Sequence, residues 1–304
     1  MLLSKVSGSH MNLNKILILL VVTYFFMPVS AQAEPEITII KHAKVLENND
    51  PQKNFFIYIL DLACKASEDK YGPCKLEASD VPMLQERQLK SLNSGLLDIT
   101  WTASSHKRER QARAIKFPLM GGMLGYRVAV YNKTVKKQFS KTASTNDLKK
   151  LILVQGLDWP DTIILKKHHF NVHETNWYEH LYTDTAKGLY DYILRGVFEV
   201  KSELNNYQSP NLEMDKNHLI VYPLHIYYFV AKDNTALAER IEYGLNKLNK
   251  NNNYISLLVN FPPHKNSLPL LNLTKRKIHI IDDTKRISKE SVSAMLEKVR
   301  RASH

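Results

Sequence analysis

The residues best equipped for chemistry crowd one stretch, 95–127, whose sequence GLLDITWTASSHKRERQARAIKFPLMGGMLGYR sets an indole, hydroxyls and arginines after an apolar run. Leu96, Leu97, Ile99 and Trp101 read as a strand ending at Thr102-Ala103-Ser104-Ser105, where hydroxyls bind a ligand's oxygens or cap the next turn. At that carboxyl end Trp101 can stack on a ligand and Thr102 can hydrogen-bond it, while core packing is the competing role for a strand tryptophan. The pattern suits the mouth of a cleft that docks a small charged molecule.

Other constellations carry less. His168, His169, His173 and His180 form a histidine group, and His169 and His173 are four apart, but the segment reads as turn and strand and lacks the Glu-x-x-His partner of a metal-binding helix. No Gly-x-Ser-x-Gly elbow, phosphate-binding glycine loop or paired Cys/His set occurs. The expectation is therefore a binding module, not an enzyme, with no cofactor and no metal.

Export is expected from the N-terminus. Asn14-Lys15 precede an uncharged apolar run over residues 16–27, and Ala31-Gln32-Ala33 supplies small residues for cleavage near Ala33; a run of this length suits a signal peptide better than a span of about 30 Å of hydrocarbon. Residues 1–10 precede a second methionine, Met11, and are set aside as an upstream extension. Of the formal charge of +12, Lys5 and Lys15 supply two, which leaves +10 on residues 34–304. That field favours an anionic partner or surface, yet no basic stripe with interleaved aromatics marks a nucleic-acid interface. Cys64 and Cys74 are the only cysteines. In an oxidising compartment a disulfide closing a helix end onto the next strand is expected, against the alternative of a free buried pair.

The elements that must position these residues alternate. A strand is expected at 37–40, helices at 54–66 and 86–92, and strands at 96–101 and 126–131. A short helix opened by Thr145 and a strand at 151–154 follow. The apolar spacing predicts a long helix over 177–194, strands near 220–221 and 227–230, and a clear helix at 235–248. The weaker C-terminal signal gives a strand at 278–281 and a basic helix at 289–301. Such alternation, in about 270 residues, implies two open α/β sheets whose ligands bind at the carboxyl ends of strands.

Taken in order, Asp50…Tyr58, Tyr71-Gly72-Pro73, Gln85-Glu86-Arg87, Gly95-Leu96-Leu97-Asp98-Ile99-Thr100-Trp101, the Ser104…Arg108-Glu109 turn, Pro118 and Gly125-Tyr126-Arg127 resemble type II periplasmic solute-binding proteins, in particular the family 3 amino-acid transporter substrate-binding branch. The resemblance continues through Gly156, Trp159-Pro160-Asp161-Thr162, Gly188…Asp191-Tyr192…Arg195-Gly196…Glu199 and Tyr222-Pro223…Tyr227-Tyr228-Phe229. It implies a two-lobed α/β fold of two open sheets joined by a two-crossing hinge. Lobe 1 would comprise residues 34–121 and 228–304, and lobe 2 residues 122–227, with crossings near Gly121 and Tyr222.

It also implies that Arg108 clamps a ligand carboxylate, since a planar guanidinium holds a carboxylate by two parallel hydrogen bonds. Trp101, Thr102, Ser104 and Arg127 accompany it on the ligand side. Lys116-Phe117-Pro118-Leu119 departs from the family's usual run there, which has an aspartate before its Phe-Ser-x-Pro-Tyr segment. In lobe 2, Trp159 and Asp161 follow a strand and a glycine and face the cleft. Asp191 or Glu199 would take an ammonium, or else pair with Arg195 at four-residue spacing. The function implied is capture of a small polar solute, an amino acid or other carboxylate, by a monomer that serves an ABC-type permease. The alternative is a periplasmic sensor or accessory protein that holds an anionic partner on its basic surface.

Overall fold

The computed structural model describes residues 36–44, 51–250 and 253–303; the expected signal peptide and upstream extension lie outside these. In chain order, β1 (Thr38–His42), α1 (Pro51–Ala66), α2 (Glu68–Tyr71), β2 (Cys74–Ala78), α3 (Gln85–Asn93), β3 (Ile99–Ala103), α4 (His106–Gln111) and β4 (Arg113–Ile115) come first. Then follow β5 (Tyr126–Asn132), a 3-10 segment (Lys133–Phe139), α5 (Thr145–Lys150), β6 (Ile152–Gly156), α6 (Pro160–Lys167), β7 (Asn171–Thr175), α7 (Tyr178–Ala186), β8 (Tyr192–Gly196), α8 (Val200–Asn206), β9 (Leu212–Met214) and β10 (His218–Val221). The last part holds β11 (Ile226–Val230), α9 (Thr235–Leu248), α10 (Asn253–Asn260), α11 (Pro262–Ser267), β12 (Lys277–Ile280) and α12 (Lys289–Ala302).

Two sheets organise the chain. The first has the order β2-β1-β3-β11-β4; the second runs β12-β10-β5-β8-β6-β7, with β9 beside β5. In the first sheet β1 is parallel to β2 and β3, and β11 returns antiparallel with Ile226 opposite Ala103. In the second, β6 is parallel to β7 and β8, and β5 is antiparallel to β8 with Arg127 opposite Gly196. Every residue of β5 and of β8 is buried, as expected of central strands covered on both faces.

Helices seal these sheets by ordinary amphipathic logic. In α9, Leu237, Ala238, Ile241 and Leu245 recur at three- and four-residue spacing and are buried. That face meets α1, where Phe55, Phe56, Ile59, Leu60 and Ala63 are buried. Gly244 permits the close crossing, because a Cβ there would stand 2.0 Å from the Ala63 carbonyl oxygen. Cys64 and Cys74 are disulfide-bonded, fastening the end of α1 to the start of β2.

Two crossings join the sheets between β4 and β5 and between β10 and β11. They touch where Tyr222 N–H donates to the Gly125 carbonyl at 3.2 Å. A Cβ on Gly125 would lie 1.9 Å from the Tyr222 carbonyl oxygen, so the approach demands glycine.

The chain departs from the sequence expectations in several places; the strand expected at 96–101 runs from Ile99 to Ala103, with Leu96 exposed before it. The helix expected over 177–194 is two elements: α7 stops at Ala186, Gly188 takes φ +83°, and 192–196 is a central strand. The cap of α5 is Ser144, whose side chain accepts from Asp147 N–H, rather than Thr145. Finally, β12 pairs parallel with β10, so residues 228–304 do not all return to the first sheet: β11 and α9 do, and β12 extends the second.

Candidate functional site

Sheet direction determines which side chains can meet. The carboxyl end of β3 lies at Ala103 and those of β6 and β8 at Gly156 and Gly196, and antiparallel β5 brings Arg127 to the same end of the second sheet. Arg108 stands on α4, the short helix that follows β3, where Ser105 Oγ accepts from Arg108 N–H at 3.3 Å. Its guanidinium is buried. Nη1 donates to Thr102 Oγ1 at 2.6 Å and the Ala103 carbonyl at 2.9 Å, and Nη2 donates to Gln85 Oε1 at 3.1 Å. Nη2 also reaches the Asp158 carbonyl, beyond β6, at 3.4 Å, so this side chain links the facing ends of the two sheets. Asp158 is held at φ +63°, a conformation that disfavours most non-glycine residues. Among the described residues, no carboxylate pairs with Arg108 within 4.0 Å, and burial pushes its pKa down.

The second sheet contributes a closed network. Arg127 donates through Nε to the Tyr222 hydroxyl at 3.0 Å and through Nη2 to Asp161 Oδ2 at 3.0 Å, with Glu199 3.7 Å from Nη1. Arg195 pairs with Glu199 at 2.5 Å and with Glu203 at 2.6 Å. The Arg195 guanidinium also lies over Trp159 at 4.9 Å and over Tyr178 at 5.3 Å, within cation–π range. Tyr178 and Tyr182 hydroxyls both donate to Glu203. Burial alone would raise the Glu203 pKa, but Arg195 and the two hydroxyls outweigh it and hold the carboxyl below its usual range. Burial likewise opposes charge on Arg127, yet Tyr222, Asp161 and Glu199 raise its pKa overall. Two arginines face three carboxylates here, a balance of one negative charge, opposite the single positive charge of Arg108.

Glycines shape this floor. A Cβ on Gly196 would come 2.8 Å from Glu199 Oε1, and one on Gly156 would meet the Trp159 ring at 2.3 Å. Asp161 stands in the first turn of α6, behind Pro160.

Of the residues singled out by sequence, Arg108 and Thr102 touch one another, and Arg127, Trp159, Asp161, Arg195 and Glu199 form one cluster. The others sit elsewhere. Trp101 is core, with its ring 5.7 Å from Phe56. Ser104 donates its hydroxyl to Glu109, and its N–H bonds the His225 carbonyl at 2.7 Å, which ties β3 to the second crossing. Asp191 lies at the amino end of β8, away from the cluster, and accepts Ile152 N–H at 2.6 Å. Its pairing with Arg195 at helical spacing fails because the segment is strand. Glu199 does pair with Arg195.

Gln85, Asp158, Tyr178, Glu203 and Tyr222 were not singled out as ligand-side residues. Gln85 begins α3 and Tyr222 precedes a proline at a crossing, but only tertiary structure shows what either reaches. Among the described residues no group of three or more His, Cys, Asp or Glu is arranged to hold a metal. No helix among them is long and apolar enough to cross a membrane.

The chain matches no protein-family model and no curated protein sequence. Solved structures do resemble it. An ancestral arginine-binding protein bound to arginine superposes with a TM-score of 0.53 at 17% identity, over 74% of this chain and 98% of that one. The probable amino-acid ABC transporter extracellular-binding protein ytmK of Bacillus subtilis gives 0.57 at 13% identity, over 75% and 99%. A histidine kinase sensor domain with similarity to periplasmic binding proteins gives 0.54 at 14%, over 75% and 97%. The fold is thus that of the two-lobed periplasmic-binding-protein class. Many of its structural neighbours are substrate-binding proteins of amino-acid importers, and those are binding proteins rather than enzymes.

Proposed function

We propose that the protein is an exported solute-binding protein that captures a small carboxylate, an amino acid or a close relative, between its two lobes. The observation that carries this reading is Arg108. It is a buried guanidinium at the facing ends of the two sheets whose hydrogen-bond acceptors are all neutral; Glu86, Asp158 and Asp161 act on it only at longer range, and burial still opposes its charge until a carboxylate makes contact. A ligand carboxylate makes that contact by displacing neutral acceptors, Gln85 and the Asp158 carbonyl on Nη2, in favour of charge-assisted bonds. The opposite wall, with one carboxylate more than its arginines neutralise, suits a ligand's ammonium.

In this account β1–β4, β11 and α9 form lobe 1 and β5–β10 form lobe 2. Delivery to an ABC-type permease is the role proposed, in the periplasm after cleavage near Ala33. The sensor reading is favoured by one particular observation, that a kinase sensor domain shares the fold.

Melting of residues 34–304 against amino acids, small carboxylates, short peptides and sugars tests the proposal. A ligand at a hundred times its Kd adds about 2.7 kcal/mol. One carboxylate class should stabilise the wild type and leave Arg108→Ala unmoved. If nothing in the panel raises the melting temperature, solute capture is refuted.

A further inference from the structure

Beyond the two crossings the chain passes between the sheets a third time, and this passage grips both lobes. From α9, packed on α1, it enters α10, where the Tyr254 hydroxyl donates to the Leu119 carbonyl at 2.8 Å and the ring meets Phe117 at 4.7 Å. Phe261 and His264 then pack against Phe55 of α1, at 5.3 and 5.0 Å between ring centroids. His264 also packs against Phe198, just beyond β8, at 4.7 Å. One imidazole is therefore wedged between an aromatic of each lobe, fully buried, with Nδ1 bonded to the Leu258 carbonyl at 2.7 Å.

Further along, Arg276 is buried and donates to the Asp215 carbonyl at 2.8 Å and the His218 carbonyl at 3.0 Å. β12 then lies along β10. A hydrogen-bonded chain fastens that edge: Thr145 Oγ1 is 2.9 Å from His279 Nδ1, His279 Nε2 is 2.9 Å from His218 Nδ1, and His218 Nε2 is 2.9 Å from the Ser140 carbonyl. Since that carbonyl only accepts, His218 Nε2 carries a proton. Two neutral imidazoles then satisfy every link in the chain.

We propose that residues 254–280 form a strap that holds the two lobes close, so that the cleft opens little even without solute. Two crossings alone permit hinge motion. A third passage, bonded to one sheet and wedged against both lobes, shortens that travel because its buried contacts must break before the lobes separate. The strap concerns lobe motion, and it stands or falls separately from the identity of the solute.

Spin labels on Leu84→Cys and Trp177→Cys, both exposed and placed one on each lobe, report the lobe separation in the full chain without added solute. The strap predicts one narrow distance population for the parent. In His264→Ala with Phe198→Ala, a second population more than about 2 Å longer should appear, the scale of a loop or domain rearrangement. His264→Leu, which keeps bulk between Phe55 and Phe198, should match the parent. Near-ultraviolet circular dichroism identifies folded variants. If the double variant does not fold, Arg276→Lys replaces it, with the same expectation. A broad two-population distribution in the parent overturns the proposal, and so does a folded strap variant that is indistinguishable from the parent.

Discussion

Acidification should weaken the protein through His264, and the size of the effect follows from its surroundings. The imidazole is walled by Phe55, Phe198 and Phe261, and burial pushes its pKa down from 6.5 to about 4, the bond to the Leu258 carbonyl opposing only in part. The unfolded chain therefore takes up this proton first as pH falls. The contribution of a folded-state pKa that is depressed is fully present above about pH 6.5 and is lost as pH drops toward 4. A gap of about 2.5 pH units, at about 1.4 kcal/mol per unit, gives a loss of about 3 kcal/mol between pH 7 and pH 4. For a chain of this size that is about 5 °C in melting temperature.

His264→Phe keeps an aromatic in the slot and removes the titrating group. Urea unfolding of both proteins at pH 7, 5 and 4 isolates the effect, because the carboxylates and His279, whose pKa is also pushed down to about 4, are common to both. The variant should lose about 3 kcal/mol less than the parent over that range. Equal losses in the two proteins would refute the argument.

Other perturbations have equally definite outcomes. Asp161→Ala leaves buried Arg127 with only Glu199 at 3.7 Å as a charged partner and should cost about 3 kcal/mol in chemical denaturation; a loss below 1 kcal/mol would show the pair to be dispensable. Gly125→Ala drives a methyl into the Tyr222 carbonyl and should destabilise by about 2 kcal/mol or more, so an unchanged urea midpoint would count against the tight contact between crossings. Reducing the Cys64–Cys74 bond should remove about 2.7 kcal/mol by the loop-entropy relation, read as a lower melting temperature in reductant that Cys64→Ala with Cys74→Ala reproduces.

The local half of this architecture was legible in the sequence. Phe55, Phe56, Ile59, Leu60 and Ala63 recur at helical spacing because α1 buries one face, and β11 and α9 were readable for similar reasons. The stretch 177–194 misled because a strand buried on both faces shows no alternation: Tyr192, Ile193 and Leu194 are all fully buried. An apolar run of that kind continues a helical pattern unless Gly188 is read as its stop. Asp191 became a candidate through the family resemblance; the misread helix only lent it a four-residue pairing with Arg195.

Arg108 became a candidate because the family resemblance places a carboxylate-clamping arginine after this hydroxyl-bearing turn. Gln85 and Glu203 were missed because their meaning lies wholly in long-range partners, 23 and 8 residues away in sequence. β12 was seen as a strand, but no local signal says which sheet it joins.

The central claim is that Arg108 binds a carboxylate, and a double-mutant cycle tests it most directly. The strongest carboxylate hit from the melting panel and its uncharged amide would be titrated calorimetrically into the wild type and into Arg108→Ala. The account predicts that the amide binds the wild type about 10 to 150 times more weakly, the worth of a charge-assisted hydrogen bond at about 1.5–3 kcal/mol, and that Arg108→Ala binds acid and amide alike. If the acid keeps its full advantage over the amide in Arg108→Ala, the clamp lies elsewhere and the account is contradicted.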